Sequence, residues 1–378
     1  MDAELEGIYD LVNGAVRAED VFGSLVDPQN KKSAKDVLEE KFSKFTEIAD
    51  PGRFTAYDDR EVAQDVILRL HKFYEKAVYR LSENIYGIDD GRSRLIRPGK
   101  LIFKTGKREY YLGDAIAEGS ISTVYEGECA MGDEFAGRVA IKIADKPEDN
   151  ELILREMRTL NILHSATGNQ RRHLAGLLDH FMTSDGKMGL VFRYLLNDGY
   201  DLYSIRDDPL YKDGVNRKHM VWMLNRLLSA IGYAHSNGII HGNIEPSHLI
   251  VRPKDHNLFI VDWCWSAINP WQTGDRFQIY TDHFSAPEVK DNELPPTPAA
   301  DLYSIGKCMI YILGGNVKTN SMPDSVEPEL NRFLKSMVIK SQSQRAQDAW
   351  QTHGELIDLC KKLWGKRRFI NFPMSQNS

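Results

Sequence analysis

This sequence of 378 residues has few cysteines and no long apolar run, and both shortages narrow what the chain can be. Its four cysteines are scattered, with no C-x-x-C pair and no metal-ligand spacing, which argues against a disulfide framework and for a reducing compartment. No apolar run approaches the roughly 18–20 residues that cross a bilayer, and the acidic first residues lack the shape of a signal peptide. We therefore expect a cytoplasmic protein without a membrane segment.

An excess of charge of either sign is also missing. The formal net charge is -6, which gives no general attraction to nucleic acid or to a membrane surface. Hydrophobic residues make up 42% of the chain and charged residues 27%, as is ordinary for a globular protein. The length allows two or three domains with their own cores, so we expect several domains and no nucleic-acid or membrane partner.

The first 98 residues show helical periodicity. Apolar side chains recur on one face over residues 34–45, and the pair Pro51-Gly52 then breaks the pattern. A second, longer helix is predicted over about residues 61–86, with charged residues on its solvated side. Its predicted apolar face consists of Val62, Val66, Leu68, Leu70, Phe73, Ala77, Val78 and Leu81.

Two antiparallel helices joined by a loop resemble a J-domain. Val21–Leu25 matches its short first helix, and the loop Asp50–Phe54 falls where the family carries His-Pro-Asp-Lys-Phe. The family's His and Asp, which trigger ATP hydrolysis in a partner chaperone, correspond here to Asp50 and Gly52. A plain helical hairpin explains the same pattern. The resemblance implies a docking module for a protein partner rather than a working co-chaperone.

A loop with a single glycine follows in residues 116–127. It resembles the Gly-rich loop of protein kinases, where glycines let backbone N–H groups approach the phosphates of ATP. Gly119 keeps the middle glycine position, Ala117 and Ser122 replace the flanking glycines, and Val124 follows in the next strand. Alanine and serine are small, so the resemblance still implies a nucleotide site at these four residues.

The motif Val139-Ala140-Ile141-Lys142 resembles the third kinase strand, in which Ala140 would line the nucleotide site and Lys142 would contact the α- and β-phosphates. A lysine that extends from the end of a buried strand into solvent would give the same pattern. Glu156 falls where the family's helix supplies the carboxylate that pairs with this lysine, and Glu151 is the alternative.

The buried strand at residues 189–195 resembles the kinase hinge. Phe192 would form the back wall of the adenine pocket, and Tyr194 and Leu195 would belong to the hinge itself. A large aromatic residue at the back wall narrows such a pocket without closing it. We therefore count these three residues among the nucleotide-binding candidates.

The stretch His241–Val251 resembles the kinase catalytic loop, H-x-D-x-x-x-x-N. Asn243 replaces the catalytic Asp, Glu245 replaces the Lys that neutralises the moving phosphate, and His248 replaces the Asn that binds a second Mg²⁺. A carboxamide is no general base at pH 7, and this loss typically costs about 10²–10⁴-fold in rate. His248 is either a structural hydrogen-bonding residue or, because imidazole prefers borderline metals, a ligand for Zn²⁺ rather than Mg²⁺.

The segment Val261-Asp262-Trp263-Cys264 falls at the position of the kinase D-F-G motif. The resemblance implies that Asp262 holds Mg²⁺ or Mn²⁺. Cys264 replaces the glycine that lets this segment flip. The aromatic residues Trp263, Trp265 and Trp271 predict a segment that is fixed by packing rather than a mobile switch.

Scaffold motifs complete the resemblance. Ala286-Pro287-Glu288 matches the A-P-E motif, Asp301 begins a strongly apolar helix, and Arg345 fits the residue that pairs with Glu288. These motifs favour the protein kinase branch over aminoglycoside phosphotransferases, which the pair His241-Gly242 also resembles.

Together the motifs imply an α+β, two-lobed protein kinase-like fold. We predict a helical J-like module over residues 1–98, an N-lobe over 99–196 and a C-lobe over 197–378, with a solvated basic helix end at 361–368. We expect a pseudokinase that acts as a scaffold or regulator and binds ATP through Lys142, Glu156 and Asp262. One alternative is a weakly active atypical kinase or nucleotidyl transferase that uses the same three residues. The other is a co-chaperone-like adaptor.

Overall fold

The computed structural model describes residues 2–15, 18–26, 32–82, 86, 100–106, 108–131, 134–196, 199–365 and 369–375. The chain divides into two compact units, residues 1–117 with 125–141 and residues 118–124 with 142–378. The predicted boundaries at residues 98–99 and 196–197 fall on or beside residues outside the described set, so they stay predictions. Within the described part of the chain, no helix combines the length and hydropathy that a membrane span requires.

The first unit begins with helices that share one apolar core. Their bounds are α1 Ala3–Gly14, α2 Ala18–Phe22, α3 Ala34–Ile48 and α4 Tyr57–Ser82. Asp2 caps α1, and the Ser33 side chain caps α3 in a reciprocal capping box. Leu5, Phe22, Leu38 and Leu70 are fully or almost fully buried in this core. Helix α1 was not predicted, although its apolar residues recur at helical spacing.

Two details of the predicted second helix were wrong. Leu68 lies on the solvent side of α4 and is 51% exposed, whereas Val66 and Leu70 are buried. Successive residues in an α-helix are about 100° apart, so Leu68 cannot share a face with neighbours two positions away. Tyr86, the predicted end of the helix, lies in a turn, and residues 83–85 lie outside the described set.

The loop between α3 and α4 forms a short 3-10 turn at Pro51–Arg53. The Asp50 carboxylate accepts a hydrogen bond from the Gly52 N–H at 2.9 Å. Arg53 donates to the carbonyl oxygens of Glu47 and Ile48 and lies 3.5 Å from the Glu4 carboxylate. Asp50 and Arg53 therefore stabilise the hairpin itself.

Strands follow the helices in the first unit. Their bounds are β1 Lys100–Thr105, β2 Arg108–Glu118, β3 Ser122–Met131 and β4 Glu134–Ala144, and β1 pairs antiparallel with β2. Gly127 on β3 has a specific packing role. A Cβ atom there would lie 2.6 Å from Ile141 Cδ1 and 2.8 Å from the Tyr111 carbonyl oxygen, so only glycine fits this close approach.

The second unit contains the remaining elements. Their bounds are α5 Asn150–Ser165, β5 Leu177–Met182, β6 Met188–Arg193, β7 Tyr200–Asp201, α6 Leu202–Asp207, α7 Arg217–Ser236, β8 Ile239–Ile240, β9 Leu249–Arg252, β10 Asn257–Ile260, β11 Ala267–Ile268, α8 Pro270–Thr273, α9 Pro287–Asp291, α10 Pro298–Ile312, α11 Pro328–Met337 and α12 Ala349–Trp364. Helices α7 and α10 are the most buried, as their apolar periodicity predicts. The basic helix end lies partly outside the described residues, at 366–368.

Scaffold contacts in this unit tie distant segments together. Arg345 donates to both carboxylate oxygens of Glu288, at 2.6 and 3.0 Å, and its guanidinium lies 4.7 Å from the centre of the Tyr303 ring. This bidentate pair joins α9 to the segment before α12.

Candidate functional site

Two loops of the second unit meet because of how their flanking strands pair. Strand β8 pairs with β11, with Ile240 opposite Ala267, and β9 pairs with β10, with Leu249 opposite Ile260. The loop at residues 241–248 therefore runs beside the loop at 261–266, and the Val261 N–H donates to the His248 carbonyl at 3.0 Å. Residues far apart in the sequence are brought into one site.

A buried lysine joins two carboxylates at the centre of this site. Lys142 Nζ lies 2.7 Å from Glu156 Oε2 and also donates to Asp262 Oδ1. The other oxygen of Glu156 accepts the Trp263 N–H at 3.1 Å. Glu151, the alternative partner, is exposed and pairs with Arg158 instead. The structure thus brings together the Lys, Glu and Asp that the sequence proposed.

The three charges determine one another's pKa values. Burial by itself lowers the pKa of Lys142, but Asp262 and Glu156 outweigh burial and hold that pKa well above its ordinary value. Burial raises the pKa of Asp262, but Lys142, His248 and Cys264 together outweigh burial and hold that pKa below its ordinary value. Burial raises the pKa of Glu156, and Lys142 only partly offsets this. Lys142 and Asp262 therefore form a firmly charged pair.

The loop at the catalytic position is held by a carboxylate from α10. The Asp301 carboxylate accepts the backbone N–H groups of His241 and Gly242, at 2.8 and 2.9 Å. His241 Nε2 donates to the Val261 carbonyl at 3.1 Å, and its Nδ1 accepts the Asn243 N–H. Burial lowers the pKa of His241 to about 4, so this ring is neutral at physiological pH.

The three altered catalytic-loop residues are all engaged within the chain. The Asn243 side chain is buried, and its Oδ1 accepts a hydrogen bond from the Thr281 hydroxyl at 3.1 Å. His248 Nδ1 donates to the Asn243 carbonyl at 2.8 Å. His248 Nε2 lies 3.3 Å from Asp262 Oδ2 and 3.5 Å from Glu245 Oε1. These residues therefore form one connected group of close polar contacts.

The loop with the single glycine makes a tight hairpin. The Gly119 N–H donates to the Ser122 carbonyl at 2.9 Å, and a Cβ atom at Gly119 would lie 3.1 Å from that oxygen. Ser122 is buried, and Val124 is partly buried on β3. Ala117 and Ala140 belong to the other unit, on β2 and β4.

The hinge candidates lie at the end of β6. Phe192 is buried and pairs with Leu177 in the β5–β6 hairpin. Tyr194 and Leu195 follow the strand and are partly buried. Phe192 thus belongs to the strand pair, and Tyr194 and Leu195 belong to the segment that follows it.

The segment after Asp262 is packed in part as predicted. Trp263 is fully buried, with its ring centre 4.5 Å from that of His241, and Cys264 is fully buried. Trp271 is 69% exposed, so the expectation that it helps to pack this segment was wrong. It lies on the short helix α8, where its side chain faces solvent. Asp262 itself has a left-handed backbone, with φ at 63°.

The donor atoms around Asp262 do not fit Mg²⁺ well. Among the described residues, ligand atoms of Glu156, Asp262 and Cys264 lie within 4.8 Å of one another. Mg²⁺ requires oxygen ligands in near-octahedral geometry, whereas here an imidazole and a thiol flank the carboxylate and an ammonium joins it. The Cys264 thiol lies 3.0 Å from Asp262 Oδ1, and burial raises its pKa well above the ordinary value, so it stays protonated.

Supporting contacts were missed by sequence reasoning. Arg155 donates to the Ser266 carbonyl and to the Asp275 carboxylate, both at 3.1 Å. Thr281 holds Asn243 from a distance of 38 residues along the chain. Arg155 could have been found as a charged neighbour of Glu156 on a predicted helix, but nothing in the sequence marks Thr281.

Comparisons with known proteins agree on one family. The family model described as "Protein kinase domain" matches residues 110–369. CBL-interacting serine/threonine-protein kinase 26 of Arabidopsis thaliana is 28% identical over 216 residues, which cover 55% of this chain and 45% of the relative. Casein kinase II subunit alpha' of Saccharomyces cerevisiae is 27% identical over 203 residues, covering 53% of this chain and 54% of the relative. The matches thus span about half the length of these relatives.

Proposed function

Because this chain belongs to the protein kinase family, with the two-lobed α+β fold that family implies, we propose that it is a nucleotide-binding pseudokinase with little or no phosphotransfer. In this proposal it acts as a scaffold or regulatory protein. The observation that carries the proposal is the state of Asn243, which is buried, uncharged and hydrogen-bonded to Thr281 where a kinase presents its catalytic carboxylate.

Asn243 cannot accept the proton of a substrate hydroxyl. Its carboxamide oxygen accepts a hydrogen bond from Thr281, and its nitrogen has no basic lone pair at pH 7. Removing a general base typically costs about 10²–10⁴-fold in rate. Glu245 adds a negative charge where the transferred phosphate needs a positive one, so the electrostatic contribution is lost as well.

Nucleotide binding depends on fewer side chains than phosphotransfer does, and it does not depend on a general base. Lys142 pairs with Glu156, which is the arrangement that orients a lysine toward the α- and β-phosphates in this family, and Asp262 contacts the same ammonium. Gly119 makes the tight hairpin of the loop that resembles the kinase Gly-rich loop, and in this proposal Phe192 walls the adenine pocket. These features support ATP or ADP as the ligand.

Phosphotransfer from γ-labelled ATP tests the catalytic part of the proposal. We expect no more label on the native chain or on a general protein substrate than with Asp262→Ala. Asn243→Asp alone should restore little phosphotransfer, because Glu245 and His248 remain. The triple variant Asn243→Asp/Glu245→Lys/His248→Asn should transfer more label than either the native chain or Asn243→Asp alone. Asn331→Asp on α11 is the matched control. Native transfer that Asp262→Ala abolishes would refute the inactive assignment.

A second candidate function is weak phosphoryl or nucleotidyl transfer. It is favoured by one observation, the complete Lys142–Glu156–Asp262 group. Parallel assays with α- and γ-labelled ATP separate the two chemistries, since nucleotidyl transfer retains the α-label on the acceptor. Label from the α-position alone would favour a nucleotidyl transferase.

The N-terminal helices are proposed as a docking module for a protein partner. Asp50 and Arg53 are engaged in contacts within the α3–α4 hairpin, which argues against the chaperone-triggering role of the J-domain loop. The co-chaperone alternative predicts that the full chain stimulates a chaperone ATPase, and we expect no stimulation. All four cysteines are buried, and none of these described residues forms a disulfide, which suits the reducing cytoplasm proposed for the protein.

A further inference from the structure

Both carboxylate oxygens of Asp262 already lie close to polar side-chain atoms of this chain. Oδ1 accepts from Lys142 Nζ and lies 3.0 Å from the thiol of Cys264. Oδ2 lies 3.3 Å from His248 Nε2. The side chain of Asp262 is only 18% exposed, so few other directions of approach remain open.

The imidazole of His248 is fixed at both ends. Its Nδ1 donates to the Asn243 carbonyl at 2.8 Å, and its Nε2 faces Asp262 at 3.3 Å and Glu245 at 3.5 Å. The same Glu245 oxygen accepts the Ser247 hydroxyl at 2.6 Å, which holds that carboxylate in place. The neighbours of the two ring nitrogens are thus oxygen atoms, a backbone carbonyl beside Nδ1 and two carboxylates beside Nε2.

In kinases these two positions hold the metal ions. The D-F-G Asp and the catalytic-loop Asn are the ligands of Mg²⁺, which accepts oxygen ligands at about 2.0–2.1 Å. In this chain the residue at the second position is an imidazole whose Nε2 already lies 3.3 Å from the first. A cation entering here would have to displace His248 from Asp262, and it would then meet a nitrogen donor that Mg²⁺ disfavours.

We propose that this site binds adenine nucleotide without a divalent cation, with His248 serving the Asp262 carboxylate in place of the metal. The inference rests on the proposed nucleotide binding and adds that this binding requires no metal cofactor. Lys142 is the phosphate partner in this arrangement. The poor fit of these side chains to Mg²⁺ therefore changes how the nucleotide is bound, in addition to removing catalysis.

Calorimetric titration of the full chain with ATP and with ADP tests this proposal. Each nucleotide is titrated in excess EDTA and in saturating Mg²⁺ at constant ionic strength, since screening changes charged contacts. We expect affinities in the two buffers to differ by less than about tenfold. His248→Asn restores the family's oxygen ligand, so we expect this variant to bind ATP at least about tenfold more tightly in Mg²⁺ than in EDTA.

Matched variants separate the role of His248 from general effects. His180→Asn makes the same exchange at an exposed position on β5 and should leave both affinities unchanged. Asp262→Asn keeps the size of the side chain, and asparagine tolerates the left-handed backbone found there. We expect Asp262→Asn to weaken binding by the same factor in EDTA and in Mg²⁺, because this carboxylate contacts Lys142 and, in this proposal, no metal ion.

The outcomes distinguish this inference from the proposed function. Nucleotide that binds only in Mg²⁺ would overturn cation independence and leave the nucleotide-binding proposal standing. Binding in neither buffer would overturn both. A His248→Asn variant that stays as indifferent to Mg²⁺ as the native chain would overturn the role assigned to His248.

Discussion

Replacing Lys142 with methionine should turn the centre of the site into a pair of uncompensated carboxylates. Lys142 is almost completely buried and neutralises both Glu156 and Asp262. Methionine has a similar length and no charge, so packing is largely preserved while the compensation is removed. The variant therefore isolates the electrostatic contribution of the lysine.

The magnitude follows from the distance between the carboxylates. Their nearest ligand oxygens are no more than 4.8 Å apart. At an effective dielectric constant of about 20, two unit charges at this distance repel by about 3.5 kcal/mol. Breaking a buried ion pair by removing one partner costs about 3–5 kcal/mol. We expect Lys142→Met to lower the free energy of unfolding by about 3–5 kcal/mol at pH 8.

The pH dependence of the variant has a definite sign. Without the lysine, repulsion raises the folded-state pKa of the carboxylate pair above its unfolded value. The folded state then binds more protons than the unfolded state, so stability falls as pH rises through this window. Lys142→Met should therefore recover much of its loss between pH 8 and about pH 5.

Urea unfolding at pH 8 and pH 5 measures both effects. The double variant Lys142→Met/Glu156→Gln removes one carboxylate and should be more stable than Lys142→Met by about 2 kcal/mol at pH 8. Lys187→Met is the control, because its pair with Asp185 at 3.1 Å is a surface contact worth about 0–1 kcal/mol. A Lys142→Met variant as stable as the native chain at both pH values would refute the reasoning.

Three further predictions concern stability. Glu288→Ala leaves the buried guanidinium of Arg345 without its carboxylate, so the free energy of unfolding should fall by about 3 kcal/mol. The exposed control Glu293→Ala should change it little. Equal effects of the two variants in urea unfolding would contradict a stabilising role of the buried pair. Burial lowers the pKa of His241 to about 4, so as pH falls from 7 to 4.5 the unfolded state binds a proton that the folded state does not. This residue should therefore lower the free energy of unfolding by about 2.5 kcal/mol over that range. His241→Gln should lack this part of the pH dependence. Ser33→Ala removes the cap of α3 and should cost about 1 kcal/mol, and an unchanged midpoint would argue against the cap.

Local patterns were sufficient for much of the fold and for the family. The order and spacing of the motifs around Lys142, Asp262 and Glu288 predicted a kinase-like chain, and the family match over residues 110–369 confirmed it. The buried face of α7 also followed from periodicity, because residues three and four apart share one side of a helix. The module boundaries and the J-like resemblance stay predictions.

Helical periodicity did not predict the structure where the same pattern allowed two candidate partners for one residue or two orientations of a side chain. Glu151 and Glu156 both lie on α5, but five residues turn an α-helix by about 140°, so only one of them can face Lys142. The structure selects Glu156 and leaves Glu151 in solvent. Leu68 and Trp271 are apolar by type and exposed by position, which a list of apolar residues does not reveal.

The sequence by itself determined which chemistry is missing. Asn243, Glu245 and His248 are facts of residue identity, and no folding changes a carboxamide into a base. Only the tertiary structure decided what these residues do instead. Strand pairing carries the two loops past each other, so that His248 meets Asp262 and Thr281 meets Asn243. Such contacts join residues distant in the chain, and their geometry follows from the packing of whole elements rather than from any local pattern.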